Sequence, residues 1–595
     1  MTESDGTQEA APLPGIKIKS ITLIDGSRHV LPEVGVTAIV GGNNTGKSTL
    51  LRQLGSRLQS EPANFPPPGD LAICQGLELE VSGTHEDLFN WIRANAVLQR
   101  PHKNDPNPRE LYARPGTNAL GAEDIQSAWP RIVNGAIPNL APFLVSYADV
   151  GSRLGQPFNV SHRSRPGDHP TSPIHYLEDD DRLRRKLDSL FFDIFGLHLT
   201  LDKLGTTTTL RVGDEPPGLK LLTYHDNAAA VRDELDRLSP VDAQGDGMRA
   251  LMGLLLPLVT ATYPVIIVDE PEAFLHPPQA VKLGRILGEL SRDNRVQVIL
   301  ATHDRNILIG LLQSNASLAV IRLTRDGNTS SSHRLEPDQI RTIWSDPVLK
   351  YSHVLDGLFH SRVVVAENER DCTFYAAALD AAHEEMPLPI TPSEVLFVPT
   401  NGKDGLAPVV EALARLKVPV IASPDLDMLD DTTKMKRLLK ALGREWADFQ
   451  EDYIACTAPF RVSRQTPTLE HVARSIEAFL KKQCEDFPEA LWDSSLRDEL
   501  NSLTRVEGSP WNALKTVGTL AFPQAVSGRA NKLLERLDQA GLVLVKVGEL
   551  ERFAHGYDVD ARKGLTWLRA ALQAGVHRGD AAKGHVRRFF SMQGS

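Results

Sequence analysis

Cysteine is scarce in this chain of 595 residues. Cys74, Cys372, Cys456 and Cys484 lie far apart, form no CxxC pair and have the spacing of neither a zinc site nor a disulfide framework. A reducing, cytoplasmic setting is therefore expected. No apolar run approaches the roughly 20 residues of a membrane span. The polar, acidic start MTESDGTQEA also lacks the basic opening and apolar core of a signal peptide, so no membrane association is expected. Positive charge is not in excess either: 65 Lys and Arg against 76 Asp and Glu give 65 − 76 = −11. Any nucleic-acid contact must come from a local basic surface or from metal ions. Aromatics make up only 6%, but 41% hydrophobic and 24% charged residues exclude a wholly disordered or fibrous chain. The length allows about four units of roughly 150 residues, or fewer large ones.

Residues 1–14 read as a flexible tail, and the alternation from Ile16 to Ile24 as an edge strand or hairpin. Pro66, Pro67 and Pro68, and the stretch from Gly155 to Pro173, read as loops. Val36 to Val40 is a short apolar strand running into Gly41-Gly42-Asn43-Asn44-Thr45-Gly46-Lys47-Ser48-Thr49 and then a helical LLRQL. This is a complete Walker A motif in its required context. Glycines Gly41 and Gly46, with Asn44, let backbone amides turn toward phosphates, and Lys47 brings a point charge to the β/γ oxygens. Ser48 and Thr49 open the helix whose dipole favours an anion, with the Ser48 hydroxyl offered to Mg²⁺.

A phosphate cradle needs a carboxylate on a neighbouring strand, and the apolar Pro264 to Val268 followed by Asp269-Glu270 supplies it. Asp269 is expected to help hold Mg²⁺, and Glu270 to orient or deprotonate the attacking water. A further strand, Val296 to Leu300, leads into Thr302-His303-Asp304, which makes His303 a γ-phosphate sensor. Walker A, the block VIIVDEPEAFLHP and ATHD together resemble the ABC-type ATPase heads of the SMC-like and OLD nuclease class. The resemblance implies ATP sandwiched between two subunits, hence a homodimer or higher homo-oligomer. It also implies a signature loop at Gln244-Gly245-Asp246-Gly247-Met248-Arg249, with Gly247 at the nucleotide and Asp246 where a serine is commonly found. From Lys47 to Asp269 is 269 − 47 = 222 residues, so something is inserted. A helical dimerisation element, or equally a plain lobe of the ATPase, is expected near 155–235, where the run Arg182 to Lys186 reads more simply as a solvated helix face than as a DNA contact.

The main boundary is placed between Phe359 and Arg362, giving an ATPase domain over 15–360 and a second α/β domain over 361–595. There the pattern becomes βαβαβ: strands at Arg362 to Ala366, Val395 to Val398 and Val418 to Ala422 alternate with helices from Asp371 and over Leu406 to Lys417, a small parallel sheet. Carboxyl ends of parallel strands face one crevice, so Glu367, Asp371, Asp425 and Asp427 are expected to converge there. Four carboxylates repel unless divalent cations lie among them, and hard oxygen ligands select Mg²⁺ or Mn²⁺. Glu367 in VVVAENERD and Asp425 and Asp427 in VIASPDLD resemble the Toprim pattern of a Glu after the first strand and a later Asp-x-Asp. Asn368 stands where Toprim domains often carry Gly, and Asn tolerates left-handed backbone angles.

The resemblance resumes near a strand at Leu542 to Val547, after a helical insertion near 432–540. It implies a lysine beside the scissile phosphate, Lys546 first and Lys532 second. Ser423 reads equally as a phosphate or water ligand and as a cap. Lys434, Lys436, Arg437 and Lys440, or Arg578, Lys583, Arg587 and Arg588 with Phe589 and Phe590, are the groups that could track a DNA backbone, although solvated helix faces explain them as well. An ABC-type ATPase head followed by a Toprim domain is the arrangement of OLD family nucleases. The resemblance implies an ATP-binding, metal-dependent DNA endonuclease working with two cations, in anti-phage defence. The Gabija type of that family acts with a helicase-like partner. The alternative is a DNA-repair or recombination ATPase that binds DNA without cutting it; a topoisomerase or primase is a third option.

Overall fold

A computed structural model describes residues 15–591 except 60–71, 100–108, 115–116, 134–136, 138, 164–169, 217–227, 261, 327–328, 352, 462–468, 487–495, 498–499, 501–509 and 560–562. The expected tail and the Pro66–Pro68 loop lie outside the described residues. The chain divides into two compact units, Met1–Asp346 and Pro347–Ser595. The division falls earlier than the expected boundary because residues 354–359 pack with the second unit. Leu355 and Leu358 are buried there, and Gly357 lies so close to Leu413 and Val363 that a Cβ would meet them at 2.8 and 3.1 Å.

In the first unit, β1 (Gly15–Leu23), β2 (Arg28–Val30), β3 (Gly35–Val40), β4 (Cys74–Ser82), β5 (Val97–Gln99), β6 (Leu111–Ala113) and β7 (Val145–Ala148) are followed by β8 (Asn159–Ser161), β9 (Leu199–Asp202), β10 (Thr207–Val212) and β11 (Ser239–Pro240). Then come β12 (Val265–Asp269), β13 (Gln297–Thr302), β14 (Leu318–Asp326) and β15 (Thr329–Leu335). The main sheet has the order β15-β14-β3-β13-β12-β7, parallel throughout except for the antiparallel edge strand β15. Strand β3 is buried along its whole length and β13 likewise, as strands covered on both faces must be. Helix α1 (Lys47–Gln59) follows β3, and its Leu50, Leu51 and Leu54 pack into the core with Ile39, Ile267 and Ile299.

Strand β1 forms the hairpin with β2 and is not an edge strand, since β4 pairs along its other side; its Ile16, Ile18 and Ile21 are buried. The insertion near 155–235 is not purely helical. Strand β10, rich in β-branched Thr and Val, pairs antiparallel with β8, β9 and β11, and helix α2 (Asp181–Phe195) packs beside them. Part of the expected Gly155–Pro173 loop is therefore strand, since β8 completes its hydrogen bonds on β10 without any apolar periodicity of its own. Within α2, Arg182 pairs with Asp180 and Arg184 with Asp181 and Glu215, which makes that basic run a paired helix face.

The second unit is built on β16 (Arg362–Ala366), β17 (Val395–Pro399) and β18 (Val420–Ser423), parallel in the order β17-β16-β18. Two parallel bridges, Ala422 to Leu542 and Asp425 to Val545, extend the sheet where a full strand was expected. Helices α3 (Glu369–Glu385) and α4 (Lys403–Arg415) are the crossovers, and α5 (Gln524–Ala540) leads into the bridged segment. What is described of the 432–540 insertion is helical. Buried Val364, Ala366, Phe374, Ile421, Val543 and Val545 form the core beneath the strand ends.

Candidate functional site

The Walker loop leaves β3 at the carboxyl edge of the main sheet. Gly41 (φ +154°), Asn44 (φ +60°) and Gly46 (φ +93°) take the left-handed turns that aim amides inward, and a Cβ on Gly41 would lie 2.4 Å from the Leu323 carbonyl. Lys47 opens α1 and is buried. Its Nζ donates to the Gly41 and Gly42 carbonyls at 2.9 and 2.7 Å, which keeps the charge at the loop mouth. Burial lowers the Lys47 pKa, against the opposing pull of Glu270, Glu272 and Asp269. The Ser48 hydroxyl donates to Asp269 Oδ1 at 3.1 Å, so the expected pair of Mg²⁺ ligands meets across strands β3 and β12, although β13 runs between them. Burial raises the Asp269 pKa. Thr49 accepts from Arg52 on the same helix.

Glu270 has a left-handed backbone (φ +48°), uncommon for a residue with a Cβ, and its N–H donates to the Ala301 carbonyl at 3.0 Å. The buried Arg153 guanidinium donates to the carbonyls of Asp269 (3.0 Å), Glu270 (2.8 Å) and Pro271 (3.4 Å), clamping this turn. His303 Nδ1 lies 3.2 Å from Glu270 Oε1 and 3.3 Å from Glu272 Oε1, which brings together the two residues expected to act at the γ-phosphate. Glu272 carried no sequence signal beyond lying beside Asp269 and Glu270, and Arg153, 116 residues before Asp269, carried none. Gly247 sits in the first turn of α6 (Asp246–Val259), where a Cβ would lie 2.8 Å from the Phe274 carbonyl, and Asp246 pairs with Arg249 at 3.3 Å. That ion pair turns the acid's charge toward Arg249.

In the second unit one oxygen from each of Glu367, Asp425 and Asp427 lies within 4.8 Å of the others. Strand β16 ends at Ala366 and delivers Glu367, while β18 ends at Ser423 and delivers the two aspartates. The Asp425 N–H donates to Glu367 Oε1 at 3.1 Å. Asp427 Oδ1 is buried without a hydrogen bond, and its Oδ2 meets Lys403 at 2.6 Å and Lys515 at 3.0 Å. Burial, then Glu367 and Asp371, push the Asp425 carboxyl up to about 9; burial raises Glu367 as well. Three largely buried acids with an orphaned oxygen suit a hard divalent cation, because its charge offsets both repulsion and desolvation.

Asp371 stands outside the three-acid group. It occupies the first turn of α3, its Oδ2 accepts the Asn368 N–H at 2.9 Å, and burial lifts it to about 7. A helix start at Glu369, two residues earlier than expected, turns this carboxylate into a cap, with Asn368 in extended rather than left-handed backbone (φ −140°). Lys546 does not face the acids: because Val545 takes the bridge to Asp425, the next side chain turns toward Asp538, Glu535 and Arg588. Lys532 lies on an exposed face of α5. The lysines that reach the acids are Lys403, opening α4, and Lys515, both at Asp427. Ser423 is buried, donating to the Val543 carbonyl at 3.1 Å and meeting His585 Nε2 at 3.0 Å, which makes it a structural tie. The C-terminal basic group is spent on ion pairs: Arg578 with Glu384, Lys583 and Arg587 with Glu385, and Arg588 with Asp538, while Phe589 is buried. Lys434 pairs with Asp404, and Lys436 stacks over Trp446.

Residues 144–309 match a family model described as "AAA domain, putative AbiEii toxin, Type IV TA system". The N-terminal unit carries a P-loop ATPase domain. The match takes in Asp269, Glu270, Glu272 and His303, and the Walker A loop lies ahead of it. No curated protein matches the chain. Among solved structures, the SMC head domain from Thermotoga maritima is 16% identical, covers 54% of this chain and 98% of that one, and has a TM-score of 0.26. An Smc head domain derived from Pyrococcus furiosus is 11% identical over 55% and 98%, with a TM-score of 0.30. The Clostridium perfringens protein cbiO1, part of an ABC transporter complex, is 15% identical over 56% and 92%, with a TM-score of 0.27. These likenesses are slight. Among the described residues no helix is long and apolar enough to cross a membrane.

Proposed function

We propose that this chain is an ATP-binding, divalent-metal-dependent DNA endonuclease of the OLD type, an ABC-type ATPase joined to a Toprim nuclease domain. The observation that carries the reading is the meeting of Glu367, Asp425 and Asp427, delivered by two parallel strand ends, with Asp427 Oδ1 buried and unpartnered. Glu367, Asp425 and Asp427 would hold the cations, Mg²⁺ or Mn²⁺. Bound there, such ions supply an activated water and a counter-charge for the departing oxygen. Lys403 and Lys515 place two positive charges at the rim, where a phosphate would approach, and Lys434 and Arg437 continue the basic surface on the helix Thr432–Ala441.

In the ATPase domain Lys47 binds the β/γ-phosphates, Ser48 and Asp269 hold Mg²⁺, and Glu270 with His303 orients the attacking water. Gly247 belongs to a signature loop that completes the site of a second copy, so the working form is a homodimer or larger. A cytoplasmic role in anti-phage defence, with a helicase-like partner, follows from the family resemblance. The deciding experiment is supercoiled plasmid incubated with Mg²⁺ or Mn²⁺. Nicking by the wild type that disappears in Glu367→Gln and Asp427→Asn is expected. Absence of wild-type nicking alongside normal ATP binding would leave an ATPase of DNA repair or recombination that binds DNA without cutting it. The saturation of Asp427 Oδ2 by two lysines is the feature favouring that second reading.

A further inference from the structure

Glu272 is the third acid in the DEPE segment and is almost fully buried, with 6% of its surface exposed. Its Oε1 accepts the Thr302 hydroxyl at 2.7 Å and the His303 backbone N–H at 3.0 Å, and His303 Nδ1 lies 3.3 Å away. Its Oε2 is buried with no hydrogen bond. A carboxylate this desolvated costs stability unless it holds something in place, and both hydrogen bonds its side chain accepts come from the strand end that carries His303. Arg153, itself 1% exposed, supports the same turn from the other side through the carbonyls of residues 269–271. Glu270, by contrast, keeps 42% of its side chain exposed.

We infer that Glu272 is a positioning residue of the ATPase site: its Oε1 fixes the His303 backbone and ring together, with the Nδ1 proton held on the acids and the Nε2 lone pair left to accept from the attacking water. The geometry favours this tautomer because Nδ1 faces two carboxylate oxygens, which can only accept. The consequence is a division of labour within DEPE. Asp269 serves the ion, Glu270 the water, and Glu272 the histidine. This inference rests on the ATPase reading above.

The test is ATP hydrolysis and nucleotide binding by the full-length chain, with fluorescent ATP as the binding probe, together with nitrogen-15 NMR of labelled histidine assigned by difference from His303→Gln. Glu272→Ala should lower kcat by about tenfold or more with KM changed less than about twofold, and Glu272→Gln, which keeps one carbonyl acceptor, should recover most of the loss. The His303 signal should move from the Nδ1–H form in the wild type toward the Nε2–H form in Glu272→Ala. Should the alanine variant fail to fold, Glu272→Met keeps the volume, removes the acceptor and is judged by the same measures. Unchanged kcat, or an Nε2–H tautomer already present in the wild type, overturns the inference. A wild-type chain that binds ATP without hydrolysing it would instead refute the ATPase roles of Glu270 and His303, and the tautomer measurement would still decide what Glu272 does.

Discussion

The Asp425 backbone N–H donates to Glu367 Oε1 at 3.1 Å, so the acid delivered by one strand end is held by the chain leaving the next. The contact ties together two strand ends whose carboxylates are 425 − 367 = 58 residues apart. It leaves Asp425's own carboxyl with repulsive neighbours, and that imbalance governs the first two predictions.

Replacing Asp425 with Asn removes a repelled, buried acid. Thermal melting in EDTA should show the variant more stable than the wild type, by about 1–2 kcal/mol, while Mn²⁺-dependent nicking falls at least about 100-fold. A variant less stable than the wild type would show that the acids are held by attractions the geometry does not reveal.

Proton linkage sets the pH dependence. Asp425 is raised from 3.8 to about 9 in the metal-free chain, so the folded state keeps a proton that the unfolded state releases. Its contribution is complete below about pH 4 and is lost as pH rises through about 9, with a slope of at most about 1.4 kcal/mol per pH unit. Thermal melts in EDTA should therefore show Asp425→Asn gaining on the wild type between pH 6 and 9. Mn²⁺ must displace the proton, so calorimetry in buffers of different ionisation enthalpy should detect proton release and tighter binding over the same window.

Lys515 competes with a cation for Asp427 Oδ2. Lys515→Ala should bind Mn²⁺ more tightly yet cleave about tenfold more slowly, because the charge beside the phosphate is gone. Lys546→Ala should stay within about twofold of the wild type, since its side chain faces Asp538 and Glu535 instead. Plasmid nicking across a Mn²⁺ series separates the two.

Lys47→Ala should abolish fluorescent-ATP binding without unfolding the chain, because the lysine bonds only to its own loop. If nucleotide controls cleavage, nicking by this variant should be indifferent to ATP where wild-type nicking is not. An ATP series on both proteins measures the coupling.

Local pattern was enough to find the phosphate loop. Val36 to Thr49 carries its strand, its left-handed turns and its helix start within one contiguous stretch, so short-range geometry determines it. The same holds for the β16 and β18 strand ends: an apolar run followed by an acid leaves that acid at the sheet's carboxyl edge whichever way the rest packs. For Asp371 a capping box with Asn368 competes with the crevice-facing role for the same carboxylate, and the start of α3 at Glu369 is what gives it the cap. The insertion near 155–235 was misread because β8 borrows its hydrogen bonds from β10 and has no periodicity to betray it.

Charge pairing lay beyond the sequence altogether. Two lysines reach Asp427 from a helix start and from a distant insertion, and nothing along the chain marks them, while the basic C-terminus that looked available is neutralised by Glu384, Glu385 and Asp538. The amino-acid order alone determined the nucleotide loop, the parallel strands and the acids at their ends, since each depends on neighbours within a few residues. Tertiary structure alone decided which cations face those acids, which carboxylates cap helices and which buried glutamate braces His303, because long side chains find partners by proximity in space.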